Sequence, residues 1–218
     1  MKRYKQSEIE ALAEILKKDG VISVPTDTVY GICARINSED AYNKLMLVKN
    51  RPTNKSFPVM CADEEQIKKI AIVDEKVEKL IHAFMPGPIT LVLNKRPEAF
   101  AFINNAGERE TSELAVRMAP SKVLKELIYQ TGSPLFMTSA NQSGEPTCKS
   151  LEEIEKFFPT LDGILEGNVS KGYASTIVDC TREEIKIQRI GPISEEQILE
   201  ALEKWRCYKA CINLYYKR

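Results

Sequence analysis

Apolar residues near the start of the chain recur at helical spacing. Ile9, Leu12, Ala13 and Leu16 share one face of a helix predicted over residues 7–19. Ser7 and Glu10 give that helix a capping-box pattern, and Gly20 is placed to end it. The period then changes. Val21-Ile22-Ser23-Val24 is a short apolar run that reads as a buried strand. Helices follow over residues 39–49, with Ser38 as cap, and over 63–70, 74–85, 121–130 and 151–158, the last with Ser150 and Glu153 in capping positions. Strands are predicted at 57–61, 89–94, 114–118, 135–137, 163–166, 174–180 and 185–190. Residues 95–112 read as a loop. Ser194 and Gln197 cap a last helix running to about residue 205.

Strands and helices interleave along the whole length, which predicts a layered α/β domain around a largely buried sheet. Only a short charged stretch separates 174–180 from 185–190. That predicts a hairpin, hence a mixed sheet. One domain over residues 1–204 is the simplest division, with a tail at 205–218 whose role the pattern does not reveal.

Composition narrows the picture. The chain has 218 residues, 43% hydrophobic and 28% charged, as in ordinary globular proteins. Lys plus Arg and Asp plus Glu are equal at 31 each, so no overall basic field draws it to nucleic acid. Any direct contact with RNA is expected to be weak or absent. No apolar run approaches the roughly 20 residues that cross a membrane, and the N-terminus lacks a signal-peptide core. A cytoplasmic location is the default expectation. The six cysteines are then expected to be reduced. Cys207-x-x-x-Cys211 lacks the second ligand pair of a zinc site, and the single histidine, His82, lies elsewhere.

Two polar motifs stand out. In Lys49-Asn50-Arg51-Pro52, Pro52 disfavours helical geometry at Arg51. The helix should stop near Asn50, and Arg51 can turn back beside Lys49. Two converging cations suit a phosphate; they also suit the negative end of a helix dipole. Ser139-Ala140-Asn141-Gln142-Ser143-Gly144 follows an apolar strand. It is either a ligand loop at a strand end or a turn bonded to itself. Arg117 interrupts the apolar run 114–118. It either faces a ligand or points to solvent from an edge strand. The dinucleotide fingerprint and the P-loop are both missing.

In order, the motifs are Pro25-Thr26-Asp27-Thr28-Val29-Tyr30-Gly31, Lys49-Asn50-Arg51-Pro52, Pro86-Gly87-Pro88-Ile89-Thr90, Ala115-Val116-Arg117, Ser139-Ala140-Asn141-x-Ser143-Gly144, Ser175-Thr176-Ile177-Val178-Asp179 and Arg189-x-Gly191. This set resembles the YrdC family of threonylcarbamoyl-AMP synthases from about residue 7 to 203. The resemblance implies a three-layer YrdC-like α/β fold with a twisted mixed sheet. It implies that L-threonine, bicarbonate or CO₂, and ATP give threonylcarbamoyl-AMP and pyrophosphate. Mg²⁺ would accompany ATP. A tRNA threonylcarbamoyl-transferase complex would receive the product. Lys49, Arg51, Ser139 and Asn141 match the family's nucleotide-binding signature and are the residues assigned to catalysis. Lys55, Thr147 and Arg189 match ATP-contacting positions. Thr28, Arg117, Met137 and Ser175 match threonine-contacting positions. Met60 stands where relatives often carry histidine. The competing reading is a non-catalytic RNA-binding module of the same fold. A carbamoyl-phosphate-processing enzyme is a third, but this chain lacks the extra modules of that kind.

Overall fold

The computed structural model describes residues 1–50, 57–99, 112–119, 121–142, 144–169 and 174–203. Its strands are β1 (Arg3–Tyr4), β2 (Ile22–Pro25), β3 (Tyr30–Arg35), β4 (Val59–Cys61), β5 (Ile89–Asn94), β6 (Glu113–Met118), β7 (Leu135–Ser139), β8 (Gly163–Leu165), β9 (Thr176–Asp179) and β10 (Lys186–Arg189). They form one ten-stranded sheet in the order β1-β8-β2-β3-β7-β4-β6-β5-β9-β10. Parallel and antiparallel pairs are mixed, and β9 and β10 pair antiparallel as the predicted hairpin. The helices are α1 (Ile9–Lys17), α2 (Glu39–Lys49), α3 (Glu64–Ile70), α4 (Glu75–Phe84), α5 (Lys122–Thr131) and α6 (Leu151–Phe157). Residues 195–203 are also helical.

Alternation along the strands divides the protein into layers, because successive strand side chains point to opposite faces. Ile32, Val59, Cys61 and Phe136 belong to one core, together with Leu45 of α2, Ile67 of α3, Leu80 of α4 and Ile154 of α6. Cys33, Met60, Leu135 and Met137 belong to the other, with Leu12 and Leu16 of α1 and Leu124 and Leu127 of α5. The sheet is the middle of three layers.

The second core is the smaller. Its strand residues come from β1, β2, β3, β4, β7 and β8, and none comes from β5, β6, β9 or β10. The α1–α5 pair thus covers only part of its face. On β5, Ile89, Leu91 and Leu93 all enter the first core, so Thr90 points the other way. On β6, Leu114, Val116 and Met118 do the same, leaving Arg117 on the face opposite the first core. Polar side chains stand where the helices do not reach.

Three local readings need correction. The predicted helix at 7–19 is a 3-10 turn, Gln6–Glu8, followed by α1. The Lys5 backbone N–H donates to Glu8 Oε2 at 3.0 Å, so Glu8 closes the start instead of the Ser7–Glu10 pair. β3 was not predicted. Its Gly31, Cys33 and Ala34 are small and give a weak strand signal. β1 is too short to show a period. The capping serines Ser38 and Ser150 do accept from Ala41 N and Glu153 N, at 3.3 and 3.2 Å.

Candidate functional site

Helix α2 ends as its sequence suggests. Asn50 takes the left-handed conformation with φ 42°, and Lys49 is the last helical residue. Lys49 is buried, at 6% exposure, and Nζ lies 5.4 Å from the centre of the Phe158 ring. Its ammonium donates to Ser139 O at 2.7 Å, to Asn141 O, and to Asn141 Oδ1 at 3.3 Å. Ser139 Oγ donates to the same Asn141 Oδ1 at 2.7 Å, and Asn141 Nδ2 donates to Glu145 O at 2.8 Å. The Lys-Ser-Asn set is therefore one hydrogen-bonded unit. Sequence reading offered phosphate binding or helix-dipole compensation for Lys49. The structure adds a third task, tying the 139–141 loop to the end of α2. Beside that loop lies a cavity of about 370 Å³, lined by Asn141, Glu145, Pro146, Thr147, Cys148 and Phe157 among others. Thr147 is thus brought to Asn141. Arg51, Lys55 and Ser143 lie outside the described residues, as does the 205–218 tail.

A second cluster forms around Arg117. This arginine is on a central strand, between β4 and β5, and only 8% exposed, which excludes the solvent-facing edge position. Nε donates to Gly87 O at 3.1 Å, Nη1 to Thr28 Oγ1 at 3.3 Å, and Nη2 to Asp27. Thr26, Asp27 and Thr28 form the tight connection from β2 to β3. Thr26 Oγ1 donates to Val29 O at 2.6 Å and accepts from the N–H groups of Thr28 and Val29 at 3.2 Å. That turn carries Thr28 and Asp27 over the sheet to Arg117.

Ser175 and Arg189 complete the cluster. Arg189 Nε donates to Ser175 O at 3.0 Å and Nη2 to Ser175 Oγ at 3.3 Å. Ser175 Oγ also stands 2.8 Å from Thr90 Oγ1. Thr176 Oγ1 accepts from Gly191 N at 2.9 Å and Ile193 N at 3.1 Å, which pins the 191–193 segment against β9. Arg189 therefore sits beside Ser175, among the residues matched to threonine, although its motif matched an ATP position.

Burial pulls the Arg117 guanidinium pKa down, the Asp27 carboxylate opposes that, and the positive charge of Arg189 adds to it. Burial also lowers Arg189. Two guanidiniums that repel each other in a partly desolvated site favour an incoming anion. Asp27 neutralises one of them, and its Oδ1 is buried without a hydrogen-bond partner among the described residues.

The two clusters occupy opposite ends of the sheet's strands. β7 runs antiparallel to β4, and β4 parallel to β6, so Ser139 and Arg117 close strands of opposite direction. Lys49 reaches Ser139 from α2, on the first-core side of the sheet, whereas Arg117 faces the other side. Met137 lies between, on the same face as Arg117. A Cβ on Gly31 would come 2.3 Å from Met137 Sδ, so glycine there permits the close packing of β3 on β7. Thr90 and Asp27 received no role from sequence reading. The available signal was a hydroxyl at the one non-apolar position between Ile89 and Leu91.

Among the described residues, Glu64, Glu78 and His82 are the group spaced for a metal ion. They lie on α3 and α4, whose apolar residues join the first core, and Lys68 already bridges Glu64 and Glu78 at 2.7 and 3.2 Å. Around Ser139, Asn141 and Thr147 the donors are hydroxyl and amide oxygens. That set suits a magnesium ion held chiefly by ligand phosphates.

The profile of the Sua5/YciO/YrdC family, described as telomere recombination, matches residues 14–191. A threonylcarbamoyl-AMP synthase of Bacillus subtilis (strain 168) is 32% identical over 197 residues, which is 88% of this chain and 55% of the relative. This chain thus spans little more than half of that protein. The crystal structure of Pyrococcus abyssi Sua5 complexed with L-threonine superposes with a TM-score of 0.82 at 28% identity, over 92% of this chain and 60% of that one. Escherichia coli YciO shares the fold, with a TM-score of 0.80 at 22% identity over 90% of this chain and 98% of its own.

Proposed function

Because this chain belongs to the Sua5/YciO/YrdC family, we propose that it makes L-threonylcarbamoyl-AMP and pyrophosphate from L-threonine, bicarbonate or CO₂, and ATP. The product would be handed to a tRNA-modifying transferase. The observation that carries this reading is the presence of two clusters suited to anions: Arg117 with Arg189, and Lys49 with Ser139 and Asn141.

Arg117 holds the amino acid's own carboxylate, with Thr28 and Ser175 beside it. The amine, once carboxylated, presents a carbamate to the ATP side. The carbamate oxygen bonds to the α-phosphorus as the bond to the bridging oxygen breaks, and pyrophosphate leaves. Little acid–base work is required. Alignment and neutralisation of phosphate charge supply most of the barrier reduction. The Lys49 ammonium is bonded to loop acceptors, so reaching a phosphate means exchanging one of them. Mg²⁺ on the phosphates would add charge neutralisation when bound.

The test is pyrophosphate release in CO₂-depleted buffer. Release should require L-threonine and added bicarbonate together. Full release with threonine and ATP alone would indicate an ordinary aminoacyl-adenylate. No release under any condition would favour a binding role.

A further inference from the structure

We propose that Thr90 is a positioning residue that makes the Ser175 hydroxyl a donor to the amino acid's carboxylate. This rests on the reading of the Arg117 cluster as the threonine site. It adds a residue that touches no ligand.

The argument is one of proton placement. Ser175 Oγ has two neighbours among the described residues, Arg189 Nη2 at 3.3 Å and Thr90 Oγ1 at 2.8 Å. A guanidinium N–H can only donate, so Ser175 Oγ accepts from Arg189. The Thr90–Ser175 contact is open to either direction. If Ser175 donated, the Thr90 proton would have no acceptor, because Ser175 Oγ is the one hydrogen-bond partner of Thr90 Oγ1 among the described residues. Thr90 and Ser175 are equally buried, 6% and 7% exposed, so burial alone leaves either proton short of an acceptor and the neighbouring charge makes the choice. If Thr90 donates, Ser175 Oγ accepts twice and its own proton is turned away from both neighbours. The Arg189 charge favours the same orientation, with the oxygen toward the cation and the hydrogen away.

An anion supplies the missing acceptor. Arg117 and Arg189 flank the position, and a carboxylate there accepts the Ser175 proton. Strand register fixes the arrangement. Thr90 pairs with Ile177 and Ile89 with Thr176 along the parallel β5–β9 ladder, which sets the Thr90 hydroxyl beside residue 175. The segment after Gly191 is bonded to Thr176 and holds Arg189 in place.

The test is titration of the full chain with L-threonine, and separately with ATP, for wild type, T90V, T90S, S175A and T90V/S175A, with thermal unfolding to confirm folding. T90V keeps the shape and removes the donor. It should weaken L-threonine binding about tenfold and leave ATP binding unchanged. T90S restores the hydroxyl and should restore affinity. If Thr90 acts through Ser175, the double variant should bind no worse than S175A alone. Should T90V not fold, T90A takes its place in the same cycle. Wild-type affinity in folded T90V, or losses that multiply in the double variant, would overturn the proposal while leaving the functional reading intact. A folded wild type that binds no L-threonine would overturn both.

Discussion

Lys49 Nζ donates to the backbone oxygen of Ser139 at 2.7 Å, joining the end of α2 to the end of β7 across 90 positions of sequence. The ammonium thus ties the 139–141 loop to the helix end. Two consequences follow, one for folding and one for ligands.

Lys49→Ala removes charge-assisted hydrogen bonds to two backbone carbonyls, leaving those acceptors short of a partner. The expected loss is about 1.5–3 kcal/mol, or a fall in Tm of several degrees in a chain of this size, on the order of 2–4 °C per kcal/mol. ATP affinity should fall as well, because the Ser139–Asn141 loop loses its tether. Thermal unfolding and nucleotide titration of K49A and K49M check both. An unchanged Tm would mean that the lysine is not structural.

Asp27→Asn leaves a buried arginine without its neutralising charge. Breaking a fully buried pair costs about 3–5 kcal/mol, but the Asp27 side chain is 21% exposed, so about 2–3 kcal/mol is expected after solvent screening. A ligand carboxylate should replace the missing charge. L-threonine is therefore expected to raise the Tm of D27N by more than it raises that of wild type. Equal shifts would place the amino acid's carboxylate away from Arg117.

Gly191→Ala should be disruptive for a local reason. The new Cβ would meet Ala174 O and Thr176 N, each at 2.5 Å. Those are backbone atoms of the segment that carries Ser175, and they cannot swing aside as a side chain can. A destabilisation of about 1–3 kcal/mol is expected, with weaker L-threonine binding as Ser175 and Arg189 separate. Calorimetric unfolding with parallel threonine titration measures it; intact binding in the variant would show that the 191 contact is dispensable.

Three buried thiols should be inert while the protein is folded. Burial pushes the Cys33 and Cys61 thiols far up and raises Cys180 to about 12. The reactive thiolate is then scarce at pH 8. Alkylation followed by peptide mass analysis should leave these three unlabelled in native protein and label them in denaturant. Rapid native labelling of any one would contradict its burial.

Much of the architecture is legible from local signals. The α2 boundary follows from Ser38 at its start and the residues around Pro52 at its end. β5 is read to the residue, because Pro86-Gly87-Pro88 punctuates an apolar run. Arg117 declares itself as a charge among apolar strand positions. β3 escapes because it contains small residues whose selection comes from a neighbour: Gly31 is required by Met137 on another strand, and no pattern within 30–35 reports that.

The sequence alone did not determine β1 or β3, but it determined most of the helices and strands, the mixed sheet, and the residue types of an anion site. These depend on period, caps and turn chemistry, all carried by neighbours in the chain. Only the tertiary structure decided that Asp27 pairs with Arg117, that Lys49 binds the 139–141 loop, that Arg189 stands beside Ser175, and that Thr90 meets Ser175. Those contacts depend on strand order and register. A one-residue slip along β5 would turn Thr90 into the core and remove its hydroxyl from Ser175. The helices decide the rest: α1 and α5 cover one part of the sheet face and leave the other part to polar side chains. How much of a face a helix pair covers is a property of packing among distant segments, and no local pattern encodes it.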